Sequence, residues 1–303
     1  MRIDTHMHLY ADPAQGEYET SAYPIREYGG FDSVRFSARA GGVADGLAAL
    51  DEAGMDYAAV LGSYELPGLD FPPDGARHWP QPPVFGDHAE AMREYNRWLC
   101  SLTQLSERLL PFVTVNPAVL GGRDSARHLD ELIRERGARG MKLHPIAIRT
   151  HADDPALQPV FGVAQDAALP VVLHCGPDIR RYGWSMPRPL AAILDGFPRL
   201  PLVLAHLGGA AWSETAELAG RYPALRFDLS EIVNWIGAPE APSSGQVVEL
   251  IRGIGVERVV TGSDFPWYDP AVTVEIVEGL PGLSEDERRA LLGENAARLL
   301  DLA

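Results

Sequence analysis

The chain reads as an α/β protein whose eight parallel strands close into one (β/α)8 barrel. Two observations carry that expectation. Short runs rich in Val, Ile and Leu alternate with stretches of helical periodicity, as they do when helices cover both faces of a parallel sheet. The runs number eight, where a doubly wound open sheet more often has about five or six strands.

In order, the runs are Arg2 to Leu9, Tyr57 to Gly62, Leu109 to Asn116, Arg139 to Pro145, Pro170 to Gly176, Leu200 to Leu207, Leu225 to Ser230 and Val259 to Phe265. The helical stretches between them include Ala44 to Ala53, Asp87 to Ser106, Ser125 to Arg136, Leu157 to Ala168 and Arg188 to Gly196. The last, Ser284 to Leu302, opens with Ser284 and Glu287 at capping-box spacing. A barrel of about 250 residues with long loops uses the whole chain. Residues 1–303, of which 46% are hydrophobic, therefore read as a single domain.

Two connections exceed the usual few residues. About 35 residues bearing Tyr10, Tyr18, Tyr23, Tyr28 and Phe31 follow the first strand, and the proline-dense Leu66 to Gly86 follows the second. Both leave C-terminal strand ends and so sit over the barrel mouth. Each is either a lid and substrate wall or a surface excursion held by its own aromatics.

The formal net charge of -16 repels phosphate backbones and anionic headgroups, which argues against nucleic acid or membrane partners. Cys100 and Cys175 are the two cysteines, so no disulfide framework is expected and a reduced cytoplasmic setting is the natural one. No apolar run approaches the roughly 20 residues of a membrane span, and no leader pattern precedes the first strand. The expected partner is a small-molecule substrate, and a homodimer stays open. The helix around Arg93, Tyr95, Trp98 and Leu99 reads as amphipathic packing or, in part, a dimer face.

Five residues of metal-binding type fall at strand ends: His6, His8, His174, His206 and Asp264. A closed parallel barrel gathers those ends at one face, so residues far apart in sequence can converge on one ion. His6 and His8 lie two apart and share one side of their strand. By chance such spacing occurs in roughly 0.3 of chains with this composition, so its place at a strand end is what gives it weight. His174 and His206 each follow four apolar residues, where either alone could be a satisfied core histidine. Asp264 ends the last run, and a carboxylate there is costly unless a cation or several donors hold it. Capping of a following helix is the alternative.

The motifs Ile3-Asp4-Thr5-His6-Met7-His8, Gly140-Met141-Lys142-Leu143-His144-Pro145, Val172-Leu173-His174, Leu204-Ala205-His206-Leu207-Gly208-Gly209, Gly262-Ser263-Asp264-Phe265-Pro266 and the Gly293-Glu294-Asn295-Ala296-Ala297-Arg298-Leu299-Leu300 stretch span the chain. Together they resemble the amidohydrolase superfamily, in its branch of related TIM-barrel hydrolases and decarboxylases. The resemblance implies one divalent metal held by His6, His8, His174 and Asp264, with His206 behind the ligands or against substrate. Zinc is the expected ion, and manganese, iron or cobalt suit the same donors. Such an ion lowers the pKa of a bound water to about 7. Asp264 could then take the water's proton while His206 polarises the scissile carbonyl.

Lys142 has two readings under that resemblance. It is a cation for a substrate carboxylate, or, when carboxylated, a bridge to a second metal; the single-metal reading is preferred. Further substrate contacts are expected from His144, Trp267 and either Arg180 or Arg181, although loop arginines are more often solvated. Glu231, Asn234, Trp235 and Tyr268 could also line the pocket. His78, His88, His128 and His151 read as surface histidines. The leading expectation is hydrolysis of a small-molecule amide or lactone. The Gly-x-Lys-Leu-His-Pro motif favours it over decarboxylation of an aromatic or unsaturated acid, and a non-catalytic ligand-binding barrel is the third reading.

Overall fold

The computed structural model describes residues 1–22, 28–29, 32–63, 88–148, 151–176 and 183–302. Eight strands appear where the sequence places them: β1 (Ile3–Met7), β2 (Tyr57–Leu61), β3 (Leu109–Val113), β4 (Gly140–Leu143), β5 (Val171–Leu173), β6 (Leu202–Leu204), β7 (Arg226–Asp228) and β8 (Val259–Val260). They pair in parallel in chain order from β1 to β8. A seam joins the first strand to the last. Thr5 N donates to Thr261 O at 3.0 Å, Asp264 N to His6 O at 2.7 Å and His8 N to Phe265 O at 2.7 Å. Below it, Asp4 accepts from the backbone of Ser263 at 2.9 Å. The result is the (β/α)8 barrel that the sequence predicts.

Neighbouring strand residues divide between two apolar clusters, as period-two alternation requires. Ala59, Leu61, Val172, Val203 and Val260 join one cluster with Ala296, Ala297 and Leu300 from the end of the chain. Val60, Val171, Leu173, Leu202 and Leu204 join the other with helical residues such as Leu50, Leu99, Leu129, Val160 and Ile251. The first is the barrel interior, and the second is the layer between strands and helices. Gly293 presses the C-terminal segment onto the start of β1, where an added Cβ would lie 2.1 Å from the Met1 carbonyl oxygen.

Strands β6 and β8 are shorter than their apolar runs. His206 and Leu207 after β6, and Asp264 after β8, take positive φ values of 58°, 48° and 61°. The ladder therefore stops just before the residues expected to carry chemistry. The terminal helix starts at the expected Ser284 capping box but is interrupted by a wider π turn at Ala290–Glu294. Residues 10–43 contain an unexpected helix, Pro13–Ala22.

The first connection is anchored by its aromatics. Tyr28 is fully buried and stacks on Trp235 at 5.3 Å, while Phe36 stacks on Tyr268 at 5.6 Å. Ser37 N donates to Trp267 O at 2.9 Å, tying this segment to the exit of β8. The second connection, Leu66 to Gly86, and His78 within it lie outside the described residues. In the helix His88–Leu105, Leu99 is buried and Tyr95 stacks on Trp98 at 5.8 Å against the core, so this face is packing within the chain. Neither cysteine forms a disulfide, and both are buried. Among the described residues, no helix is long and apolar enough to cross a membrane.

His128 is not a surface histidine: it is 5% exposed in the helix Gly122–Arg136. It lies on that helix's inner face with Ser125, Leu129 and Leu132, at the spacing of one helical stripe. Its Nε2 accepts from Asn96 Nδ2 at 3.2 Å, and Asn96 in turn clamps Thr114 through its N–H and C=O at 3.0 and 2.8 Å. Burial holds the imidazole below its ordinary pKa of 6.5. The unfolded chain therefore takes up this proton first as pH falls, so the contribution is intact above about 6.5 and lost through the depressed folded value. We expect the thermal midpoint to fall less between about pH 7.5 and about pH 5 in His128→Gln than in the parent protein. Equal falls would exclude His128 as the titrating group. His151 is exposed, as expected, with its ring edge-on to Trp184.

Candidate metal centre

Three of the four expected ligands, His6, His8 and Asp264, come together, each with a donor atom within 4.8 Å of the others. His6 Nε2 and His8 Nε2 stand 3.3 and 3.4 Å from one oxygen of Asp264. Ligands around a tetrahedral ion at about 2.0–2.1 Å are themselves about 3.3–3.4 Å apart. These two separations therefore match the edges of such a site. Each imidazole has its other nitrogen occupied. His6 Nδ1 donates to Asp228 Oδ2 at 2.9 Å, and His8 Nδ1 donates to the Leu61 carbonyl at 2.9 Å. Both Nε2 atoms are thus unprotonated, the form that binds metal. The set His6, His8 and Asp264 could hold a divalent ion.

Among the described residues, His174 does not join these three within 4.8 Å. It stacks face to face on His144, with ring centroids 3.9 Å apart and planes at 7°, and its Nδ1 is 3.1 Å from His206 Nε2. Burial pushes the His174 imidazole well below its ordinary pKa, and the neighbouring His144 and His206 add to this. Burial likewise takes His206 down to about 4 against the pull of Asp264.

Lys142 is almost fully buried, and its ammonium donates to His6 Nε2 at 3.0 Å. Burial lowers its pKa to about 8, while the nearby carboxylates of Asp264, Asp228 and Glu231 resist the shift. For Asp264, burial opposes ionisation, but His6, His8 and His206 outweigh it and hold the carboxyl well below the usual range. The site thus sets one buried cation among several buried anions.

Sequence reasoning missed the group that supports the histidines. Asp228, on β7, is fully buried and accepts from His6 Nδ1, from His206 N at 2.9 Å, from Ser230 N at 3.0 Å and from the Ser230 hydroxyl. Burial disfavours its charge, yet these partners win and hold its pKa well below normal. Ser230 Oγ lies 3.0 Å from His6 Nδ1 and 2.9 Å from His206 Nδ1. Glu231 has φ 61° and a carboxylate oxygen 3.7 Å from His206 Nδ1. The signal was available: Asp228 and Ser230 alternate on one side of a buried apolar run, and such polar pairs need internal partners.

The remaining expected residues separate. Asp264 does not cap the following helix; Asp269 does, accepting from Ala271 N at 2.9 Å. Trp267 packs edge-on to His8 at 5.6 Å, and its buried indole N–H has no acceptor among the described residues. His144 follows the end of its strand at Leu143 and stacks on His174. Arg180 and Arg181 lie outside the described residues. Asn234 is buried, with its Nδ2 3.4 Å from Thr273 Oγ1.

Comparison with known proteins agrees with this architecture. The family model described as Amidohydrolase matches residues 3–302. No curated protein sequence matches the chain. Among solved structures, an uncharacterized TIM-barrel protein from Bordetella bronchiseptica aligns with a TM-score of 0.73 at 17% identity, covering 99% of this chain and 98% of its own. The 5-carboxyvanillate decarboxylase of Sphingomonas paucimobilis aligns with a TM-score of 0.67 at 17% identity, covering 99% and 98%. A dihydroxybenzoic acid decarboxylase from Polaromonas, solved with manganese and an inhibitor, gives 0.67 at 14% identity, covering 99% and 97%. At these identities the likeness is one of fold.

Proposed function

The chain belongs to the amidohydrolase family, and from that premise we propose that it is a metal-dependent decarboxylase of an aromatic or unsaturated carboxylic acid. This reverses the preference that the Gly-x-Lys-Leu-His-Pro motif suggested. The observation that carries it is Lys142, a buried ammonium beside the metal-facing nitrogen of His6. The decarboxylases among the structural neighbours point the same way.

His6, His8 and Asp264, with His174 as the expected fourth ligand, would hold a divalent ion, which would supply a Lewis acid for substrate oxygens. Lys142 then places a second positive charge beside it, and together they select a carboxylate. Lys142 Nζ, buried 3.0 Å from His6 Nε2, is also placed to donate a proton to a substrate held there. In the reaction the bond from carbon to the carboxylate breaks, carbon dioxide leaves, and the electron pair stays on the substrate carbon. That carbon takes a proton from Lys142 Nζ, which solvent restores. Trp267, with a free indole N–H, bounds the site beside His8.

Hydrolysis of an amide or lactone is the second reading, favoured by Asp264. Its carboxylate stands between both histidine nitrogens, where it can accept a proton from an attacking water. Incubation of zinc- or manganese-loaded protein with hydroxylated benzoic acids separates the two. We expect carbon dioxide release, and a loss of at least about 100-fold in Lys142→Met with metal content retained. Hydrolysis of amides or lactones without carbon dioxide from any acid would decide for the second reading.

A further inference from the structure

The hydrogen bonds behind His206 fix where its proton sits. Its Nδ1 faces three oxygens: Ser230 Oγ at 2.9 Å, Ser230 O at 3.3 Å and a Glu231 carboxylate oxygen at 3.7 Å. The Ser230 hydroxyl hydrogen is already committed to the Asp228 carboxylate, which can only accept. All three of these neighbours, among the described residues, are therefore acceptors, and that nitrogen carries the proton. In the neutral ring Nε2 is then bare. The atom facing it is His174 Nδ1 at 3.1 Å, which must donate. His174 Nε2 is bare in consequence.

We propose that Ser230 and Glu231 are positioning residues that set the tautomer of His174 through His206, so that this column presents His174 Nε2 to the ion. His8 has a separate anchor in Leu61, His6 Nδ1 donates to Asp228 and also lies 3.0 Å from Ser230 Oγ, and His174 depends on the column through His206. In this arrangement His206 Nε2 is occupied by His174, and a His206 nitrogen also lies within 4.8 Å of an Asp264 oxygen. Metal-ligating histidines take their orientation and basicity from the partner of the other ring nitrogen, and loss of that partner weakens metal binding about 10–100-fold. Here the partner is a second imidazole whose own proton is held in place by Ser230 and Glu231.

The inference rests on the metal-site reading but is tested without turnover. Protein labelled with 15N-histidine and loaded with zinc is examined by long-range 1H–15N correlation, with signals assigned by His174→Gln and His206→Gln. Protons on Nδ1 of both His174 and His206 are expected. In a Ser230→Ala, Glu231→Gln double variant, the His206 signal shifts toward the Nε2–H form, because the new amide can donate to Nδ1. Zinc affinity should fall about 10–100-fold, while the His8 signals, anchored on the Leu61 carbonyl, stay in place. A proton on Nε2 of either His174 or His206 in the parent protein overturns the proposal. So does a folded double variant with unchanged tautomers and zinc affinity. A protein that keeps the column and binds zinc but releases no carbon dioxide would count against the decarboxylase reading alone.

Discussion

Asp264→Asn should lower turnover by about 10³-fold or more and leave the barrel folded. The two halves of this expectation have different causes. Asp264 sits at φ 61°, a backbone region that asparagine enters more readily than almost any other residue bearing a side chain. Its backbone N–H bond to His6 O, part of the barrel seam, does not involve the side chain. The fold therefore loses little. The carboxylate, however, is the common neighbour of His6 Nε2 and His8 Nε2, and an amide supplies neither its charge nor its basicity. Circular dichroism, metal content by elemental mass spectrometry and turnover on the same preparation check all three parts. An unchanged rate in a folded variant would remove Asp264 from the mechanism.

The largest stability effect is expected at Asp228. Alanine there strips the acceptor from four buried donors: His6 Nδ1, His206 N, Ser230 N and the Ser230 hydroxyl. Each buried donor left without a partner costs about 1–3 kcal/mol. Four such losses approach the whole stability of an ordinary domain, about 5–15 kcal/mol. Asp228→Ala should therefore unfold at a much lower urea concentration or fail to accumulate as folded protein. Asp228→Asn keeps the shape and one acceptor oxygen, so it should fold but bind zinc about 10–100-fold more weakly. A wild-type urea midpoint in the alanine variant would show that these bonds are not what holds the mouth of the barrel together.

The barrel and its ligand-bearing ends were legible because period-two burial and the reach of a strand leave plain marks in a sequence. His6, His8 and Asp264 each stand where an apolar run ends, and closure of the sheet did the rest. Asp228 and Ser230 were less visible because they belong to a strand that reads as buried, and their partners come from β1 and β6. Their roles exist only once the barrel has closed and gathered the ends of β1, β6 and β7. His128 failed for a local reason: its place on the helical stripe with Ser125 and Leu132 was available, but its polarity suggested the surface. Tyr28 was correctly suspected of holding its loop, yet nothing before folding could name Trp235 as its stacking partner. The choice of reaction was the least legible, because a shared ligand set serves both hydrolysis and decarboxylation.

The seam between β1 and β8 has a consequence for the order of folding. Its hydrogen bonds join positions such as Thr5 and Thr261, 256 residues apart. Bringing such distant points together costs about 5 kcal/mol in loop-closure entropy before any contact rewards it. Contacts of this range form late, after the local strand and helix pairs have narrowed the search. The same seam holds His6 and His8 on one side and Asp264 on the other. A chain whose last strand has not docked cannot bring Asp264 to His6 and His8, so these three residues come together only as the cylinder becomes complete.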